Sequence, residues 1–561
     1  MKVAEILANT IKAYDLEHFF LFTGGDQDLW IALKEAGIKM ILAHSEWAAT
    51  YMADGYARIS GKPTFVYGQY GPGAANVAAA LAEPYWGRSP VISLTTSIRT
   101  VSRDRYEYQE IDQIPMYRPV TKWDKSIIRE DRTADMLRSA IRHAVSSPPG
   151  PVHLELPSDY LPREVNNVEV YAEHNFKNVQ PYRVSPLYDS IKQLLKLLTS
   201  AEKPLIIAGT GVILSGAWSE LQRIAEKLSI PVATTMGGKG SISEQHKLSI
   251  GVIGRYSRKI ANDIAKEADI VLVIGSRLGA MPTDTFKIPS KNASIIHIDM
   301  DPSVLGTVYE ETLSILGDAK IALQLILDEI ERQNIKPNSK ADEWAKIVYN
   351  RKEEWEKEVE NEIKSFTGKA LHPAFVLKEL QKVLHDDDIV IADTGYMSAW
   401  AGALCPTKKA GKTFLHSCGS LSWSFPAAIG ASFAAPEQKV IAIIGDGGIG
   451  YNIMELETAV RYHIPVMVIV MNNNSLAFEY HEQKYNYKKV VSDVNDFTDV
   501  DYAAVARAIG AKGQRLNHST NVSSYLEEAY NSREPFLLDI IVDKEAIAPV
   551  TEYESVIKRR I

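Results

Sequence analysis

The chain has 561 residues, 45% hydrophobic and 24% charged, a globular composition that excludes disorder, collagen and coiled coil as overall descriptions. Its 62 Lys and Arg against 70 Asp and Glu give a formal charge of −8, without the basic excess of a dedicated nucleic-acid binder, although backbone N–H groups and a metal could still hold a small phosphate. Its two cysteines, Cys405 and Cys418, are too few for a disulfide framework or a Cys-rich zinc site.

The first residues carry Glu5, Asp15 and Glu17 in an amphipathic pattern, where a secretory signal needs an uncharged apolar core. No apolar run approaches the ~18–20 residues of a membrane span, so a cytoplasmic protein without a membrane partner is expected. Short β-rich runs then alternate with helical patterns, the signature of βαβ units and parallel sheets. Strands are expected at 18–25, 39–46, 63–73 and 89–97, interleaved with helical patterns such as WAATYMADGYARISG. A proline-rich stretch at 146–160 closes this first segment, 1–165, and a polar linker follows. A second segment, 186–335, has strands expected at 203–211, 230–238, 269–278 and 294–302. Residues 331–366 are strongly charged and read as solvated helix and connector. The third segment, 370–561, has strands expected at 388–395, 439–447, 464–473 and 535–543. The fold class is α/β, with three doubly wound parallel-sheet domains.

The most informative stretch is KVIAIIGDGGIGYNIMELETAVRYHIPVMVIVMNNNS. One strand ends in Gly445-Asp446-Gly447-Gly448, a helix is expected over 452–462, and the next strand ends in Asn472-Asn473-Asn474-Ser475. Ligands of open α/β sheets sit beyond the carboxyl ends of strands. If the two strands are neighbours, a carboxylate, an amide oxygen and a backbone carbonyl can share one octahedral magnesium with diphosphate oxygens. The glycines let a phosphate approach the backbone at a helix start. GDGGIG also fits the G-x-G-x-x-G dinucleotide fingerprint, which leaves a nicotinamide-dependent oxidoreductase as an alternative. That reading wants an acidic residue at the end of the next strand, where this chain has asparagines.

A GDG turn followed by a double asparagine resembles the thiamine diphosphate (ThDP) signature, and the three α/β segments resemble that family's pyrimidine-binding, central and diphosphate-binding domains. The resemblance implies magnesium on Asp446, the Asn473 side chain and the Ser475 carbonyl. It places Gly395, Tyr396, Met397, Gly445, Gly447 and Gly448 along the diphosphate. HSEWAATYMADGYARISGKP resembles the segment around the family's catalytic glutamate, here Glu46, with Ser45 inserted after His44. Such an acid, held in an apolar pocket, shares a proton with the aminopyrimidine and so promotes removal of the thiazolium C2 proton. On residues alone, Glu46 is equally a helix-starting acid favoured by the macrodipole. HSCGSLSWSFPAAIGA resembles the segment that bends the cofactor, with Leu421 as the supporting side chain and the Gly419 carbonyl as acceptor for the 4′-amino group.

Within the superfamily, GQYGPGAANVAAALAEPYWG, YQEIDQIPMYRPVTKWDKSI and HIDMDP resemble the acetolactate synthase (acetohydroxyacid synthase) large subunits. That implies decarboxylation of a 2-oxo acid and ligation to a second carbonyl. Gln109 would face the thiazolium and Gly25 would border the pocket. Arg118 matches a position that contacts FAD in flavin-bearing members, which makes FAD a further candidate cofactor. The family builds each site from two subunits, so a homodimer or homotetramer is expected, and a regulatory subunit is open. Asp26, Gln27, Tyr70 and the stretch LAFEYHEQKYNYKK depart from the synthase pattern. They leave a 2-hydroxyacyl-CoA lyase, a sulfoacetaldehyde acetyltransferase, a 2-oxo acid decarboxylase or a non-catalytic paralogue as alternatives.

Overall fold

The computed structural model describes residues 1–517 and 521–550. Residues 518–520 and 551–561, both within the third expected segment, lie outside the described residues. The described residues form three six-stranded sheets in which every strand pairing is parallel. Among the described residues no helix is long and apolar enough to cross a membrane.

The first sheet comprises β1 (His18–Leu21), β2 (Lys39–Leu42), β3 (Thr64–Gly68), β4 (Val91–Ser97), β5 (Trp123–Ser126) and β6 (Val152–Pro157), in the order β2-β1-β3-β4-β6-β5. The central sheet comprises β7 (Pro204–Ala208), β8 (Val232–Thr234), β9 (Ser249–Val252), β10 (Ile270–Ile274), β11 (Ser294–Asp299) and β12 (Leu313–Leu316), in the order β12-β11-β10-β7-β8-β9. Numbered within that sheet and read from β9, this is 3-2-1-4-5-6, the strand order of dinucleotide-binding folds. The third sheet comprises β13 (Ile389–Ala392), β14 (Phe414–His416), β15 (Val440–Gly445), β16 (Met467–Asn472), β17 (Lys512–Leu516) and β18 (Phe536–Ile541), in the order β14-β13-β15-β16-β18-β17. Renumbered, it repeats the order of the first sheet. Strands such as VIAIIG and MVIVMN are buried on both faces because helices cover both sides of each parallel sheet.

Every strand expected from the sequence is present, with shorter bounds. Six others have no counterpart in the sequence pattern: β5, β6, β9, β12, β14 and β17. Five of these lie at sheet edges, where one flank is unpaired and the apolar run is short. The sixth, β6, lies inside the proline-rich stretch 146–160 that reads as a boundary. The charged 331–366 stretch contains the helix Ser339–Ser365, and one of its faces is not solvated. Trp344, Val348, Trp355 and Val359 are buried in a core shared by the central and third sheets. Their spacing keeps them on one helical stripe, with Ala341, Ala345 and Lys352 buried beside them, while the opposite face is rich in charge.

The first and third sheets meet through two helices, Glu46–Ser60 and Ser424–Ala434, each following the second strand of its sheet. A Cβ added to Gly55 would lie 2.1 Å from the Ala427 carbonyl oxygen, and one on Gly430 would lie 1.9 Å from that of Met52. Only glycine permits this approach, so the two backbones touch directly.

Candidate active site

At the carboxyl ends of β13, β15 and β16 lies a cavity of about 240 Å3. Gly395, Tyr396, Met397, Leu421, Gly445, Asp446, Gly447, Gly448, Asn473 and Ser475, all expected from the sequence, line it. β15 and β16 are neighbours, with Gly445 opposite Met471, which brings Asp446 beside the asparagine run. The Asp446 carboxylate accepts from Gly447 N at 2.8 Å, Ser475 N at 3.1 Å and Asn473 N at 3.2 Å. Burial pushes its pKa up to about 6, and these N–H groups oppose that rise. Asn473 Oδ1 accepts from Ser475 N at 3.0 Å, and the buried Ser475 Oγ has no partner. The three asparagines divide the work. Asn472 bonds the buried Asp539 at 2.9 Å and holds the turn, Asn474 takes the left-handed conformation, and Asn473 alone reaches the cavity.

The local helices differ from the expected single helix at 452–462. One helix begins inside the glycine turn, Asp446–Asn452, and a second spans Glu455–Arg461. The glycines keep this first turn free of side chains: a Cβ on Gly448 would lie 2.5 Å from Asp393 Oδ2. Gly395, with φ 85°, opens the helix Tyr396–Leu404, and its missing side chain leaves Leu421 Cδ1 3.8 Å from where a Cβ would stand.

Asp393 is the residue that sequence patterns miss here. It is fully buried and accepts from Ser422 N at 2.8 Å and Ser424 N at 3.0 Å, fixing the turn that presents Leu421. Burial pushes it up to about 7. The available signal was an aspartate ending an all-apolar strand before Thr-Gly.

A second cluster gathers around the Gly71-Pro72-Gly73 turn of the first domain. Ser45 caps the helix Glu46–Ser60, its Oγ accepting from Ala48 N at 3.1 Å, so the extra residue after His44 has a structural role. Glu46, half-buried, accepts from Asn76 Nδ2 at 3.0 Å. A Cβ on Gly73 would lie 2.9 Å from Glu46 Oε1, and one on Gly71 would lie 2.7 Å from Gln109 Cβ. Gly24, next to Gly25, packs on Gln69, which also borders Gly73. Asp26 points inward, where Thr96 Oγ1 at 2.8 Å and Tyr67 both bond its carboxylate. His44 bonds Glu457 at the surface.

Glu46, Gln109 and Gly25 do not line the cavity that holds Asp446. A single chain therefore carries two separate clusters. Gly419 is exposed beside Leu421 and outside the cavity lining. Arg118 is exposed and lines neither large cavity.

The second cavity, about 730 Å3, lies beyond the carboxyl ends of β7, β8, β10 and β11. Thr210, Gly211, Gly275, Arg277 and Asp299 are among its walls. It sits where the central strand order reverses, the usual place for a dinucleotide. Among the described residues no three His, Cys, Asp or Glu form a metal cluster.

Residues 1–116 match the N-terminal TPP binding domain of thiamine pyrophosphate enzymes, residues 191–326 the central domain, and residues 393–540 the C-terminal TPP binding domain. The chain is 34% identical to a probable acetolactate synthase large subunit of Methanocaldococcus jannaschii, over 98% of this chain and 93% of that one. It is 30% identical to a sulfoacetaldehyde acetyltransferase of Castellaniella defragrans, over 97% and 94%. It is 28% identical to the acetolactate synthase isozyme 3 large subunit of Escherichia coli, over 96% and 94%.

Proposed function

Because the chain belongs to the thiamine pyrophosphate enzymes, we propose that it is a ThDP- and magnesium-dependent carboligase or decarboxylase of the acetolactate synthase type, acting on a 2-oxo acid. The observation that carries this reading is the cavity in which Asp446, Asn473 and Ser475 meet side-chain-free glycine backbone.

The donor set fits the cofactor. One carboxylate, one amide oxygen and one carbonyl are too few to hold a cation alone, but suffice for magnesium shared with a diphosphate. Asp446, Asn473 and the Ser475 carbonyl would hold that ion. Gly395, Tyr396, Met397, Gly445, Gly447 and Gly448 would border the phosphates, whose charge the cation and backbone N–H groups would neutralise without a basic surface. Bound ThDP supplies an electron sink that allows loss of CO2 from a 2-oxo acid. Leu421 would support its bend and the Gly419 carbonyl would accept from its 4′-amino group. Glu46 would hold the proton at the aminopyrimidine, with Asn76 orienting its carboxyl, and Gln109 and Gly25 would border the substrate.

Each site then needs the first domain of one subunit and the third domain of another, and we infer a homodimer at least. The exposed Trp47 (38%) beside Glu46 and the exposed Tyr451 (71%) and Met454 (47%) beside the glycine turn support this. Such apolar groups flank both half-sites and are poor solvent-facing choices. The large-subunit names of the relatives bring a regulatory subunit into the same reading. The central cavity suits a dinucleotide such as FAD in a structural role, since the condensation has no net redox step.

A second reading is favoured by the cavity wall. Among the described residues it contains Glu479 and Asp446 but no Lys, Arg or His, which suits an acceptor lacking a second carboxylate, such as an aldehyde. Mass spectrometry of products from a panel of 2-oxo acids, with and without aldehyde acceptors, decides between the two. An acetolactate-type product supports the first reading, an aldehyde adduct the second, and no ThDP-dependent product refutes both. The absorption spectrum of the purified protein reports flavin.

A further inference from the structure

The helix Ala82–Gly87 follows the helix that carries Asn76 and packs beside Glu46–Ser60. Its Glu83 is 1% exposed and faces the third domain. Glu83 Oε1 accepts from Cys418 N at 2.6 Å and Arg58 Nη2 at 3.1 Å. Oε2 accepts from Ser420 N at 3.1 Å and Ser417 Oγ at 3.2 Å. Arg58 is shared: it also bonds Asp54 at 2.7 Å, lies 4.4 Å over the Trp423 ring, and donates to the His416 carbonyl at 2.9 Å. One cation thus faces two buried carboxylates. Asp54 is further bonded by Trp423 Nε1 at 2.9 Å, and beside its share of Arg58 the Glu83 carboxylate is held by the two backbone N–H groups and the Ser417 hydroxyl.

Those two N–H groups flank Gly419. The Ser420 N–H and the Gly419 C=O belong to one peptide, and a trans peptide is planar with the two pointing in opposite directions. The peptide is trans, the cis bonds being Ser147-Pro148 and Ile288-Pro289. Glu83 therefore turns the Gly419 carbonyl outward from the buried cluster. Gly419 reaches this geometry with φ 142°. Gly419 is exposed, and its carbonyl accepts no hydrogen bond among the described residues.

The geometry points to Glu83 as a positioning residue that aims the Gly419 carbonyl at the cofactor's 4′-amino group. The inference rests on the proposed ThDP reading, in which that carbonyl is the acceptor. It adds that the first domain acts on the site twice: Glu46 reaches the site of a neighbouring subunit, while Glu83 sets an atom of the same chain's third domain. A carboxylate suits the task because two amide donors on alternate peptides, Cys418 N and Ser420 N, need two acceptor oxygens. Charge-assisted bonds to both fix the segment more tightly than neutral ones.

The test uses the full chain, with ThDP and Mg2+ as probes. In Glu83→Gln one oxygen becomes an NH2 that cannot accept, so one flanking N–H loses its partner. In the protein without cofactor, amide hydrogen exchange of the 416–424 peptide should accelerate. In the loaded protein, C2 proton exchange of bound ThDP should slow about 10- to 100-fold, corresponding to loss of one charge-assisted bond. ThDP affinity should stay within about threefold. Unchanged C2 exchange, or a fall in affinity and thermal stability with C2 exchange of the bound fraction intact, overturns the inference and reduces Glu83 to domain packing. If Glu83→Gln fails to fold, Glu83→Asp keeps the charge beside Arg58 but is one methylene too short to reach both amides. It should slow C2 exchange by a smaller factor, and wild-type exchange in that variant also overturns the inference. A wild-type chain that binds no ThDP removes the underlying function instead, a result distinct from any of these.

Discussion

The first and third sheets have the same strand order and dock through corresponding helices, yet their chemical equipment differs. The carboxyl end of the third sheet holds buried acids, Asp393 and Asp446, each surrounded by backbone N–H groups and lifted to about 7 and about 6 by burial. The first sheet presents a half-buried Glu46 at a helix start, with amide side chains nearby. One topology thus carries a cavity of buried acid and bare glycine backbone in one copy and a half-buried carboxyl beside an asparagine in the other. Topology sets where the loops gather, and the loop residues determine the chemistry. The Glu46 cluster and the Asp446 cavity share no lining residue, and in the proposed reading neither copy is a site by itself.

The comparison breaks most sharply at Glu46. Glu46→Gln should lower turnover about 10^2- to 10^4-fold, the range for losing a proton-transfer group, while ThDP binding measured by calorimetry changes little. Full turnover in that variant would remove Glu46 from the mechanism. On the other side, Asp446→Ala should weaken magnesium-dependent ThDP binding at least ~100-fold, beyond the usual loss of an outer-shell partner. Binding indistinguishable from wild type would dissolve the distinction between the two copies.

Two smaller effects sharpen it. Burial raises Asp393 from 3.8 to about 7, so the folded chain retains a proton that the unfolded chain releases. Its contribution to stability is therefore lost as pH rises from about 4 through about 7. Asp393→Asn should flatten that part of a urea-midpoint profile against pH, and an unaltered slope would place the ionisation elsewhere. Ser45→Ala should cost about 1 kcal/mol of stability through loss of the N-cap, read as a shift in urea midpoint. No shift would mean that Ser45 does not anchor the helix behind Glu46.

Much of this was legible in the sequence, for identifiable reasons. Interior strands such as VIAIIG and MVIVMN are apolar throughout because both faces are covered. Edge strands such as KGQRL (β17) and WDKS (β5) bury less and carry polar residues, so periodicity passes over them. Asp446 and Asn473 are legible because they lie 27 positions apart at the ends of two consecutive, neighbouring strands. Asp393 acts on Ser422 and Ser424, and Glu83 on residues 417–420, contacts that exist only after the chain has folded back over 29 and 334 or more positions. Trp344 and Trp355 were hidden by the surrounding charge of a 27-residue helix that buries seven of its side chains.

The joint made by Gly55 and Gly430 has a consequence for how the molecule can change over time. Where side chains separate two helices, drift in size on one side is absorbed by the other. Here carbonyl oxygens rest on bare Cα atoms, and no compensating substitution exists that leaves the spacing intact. Neighbouring loops can be rewritten while this contact stays as it is, which makes it the fixed reference that spaces the Glu46 cluster from the Asp446 cavity within one chain.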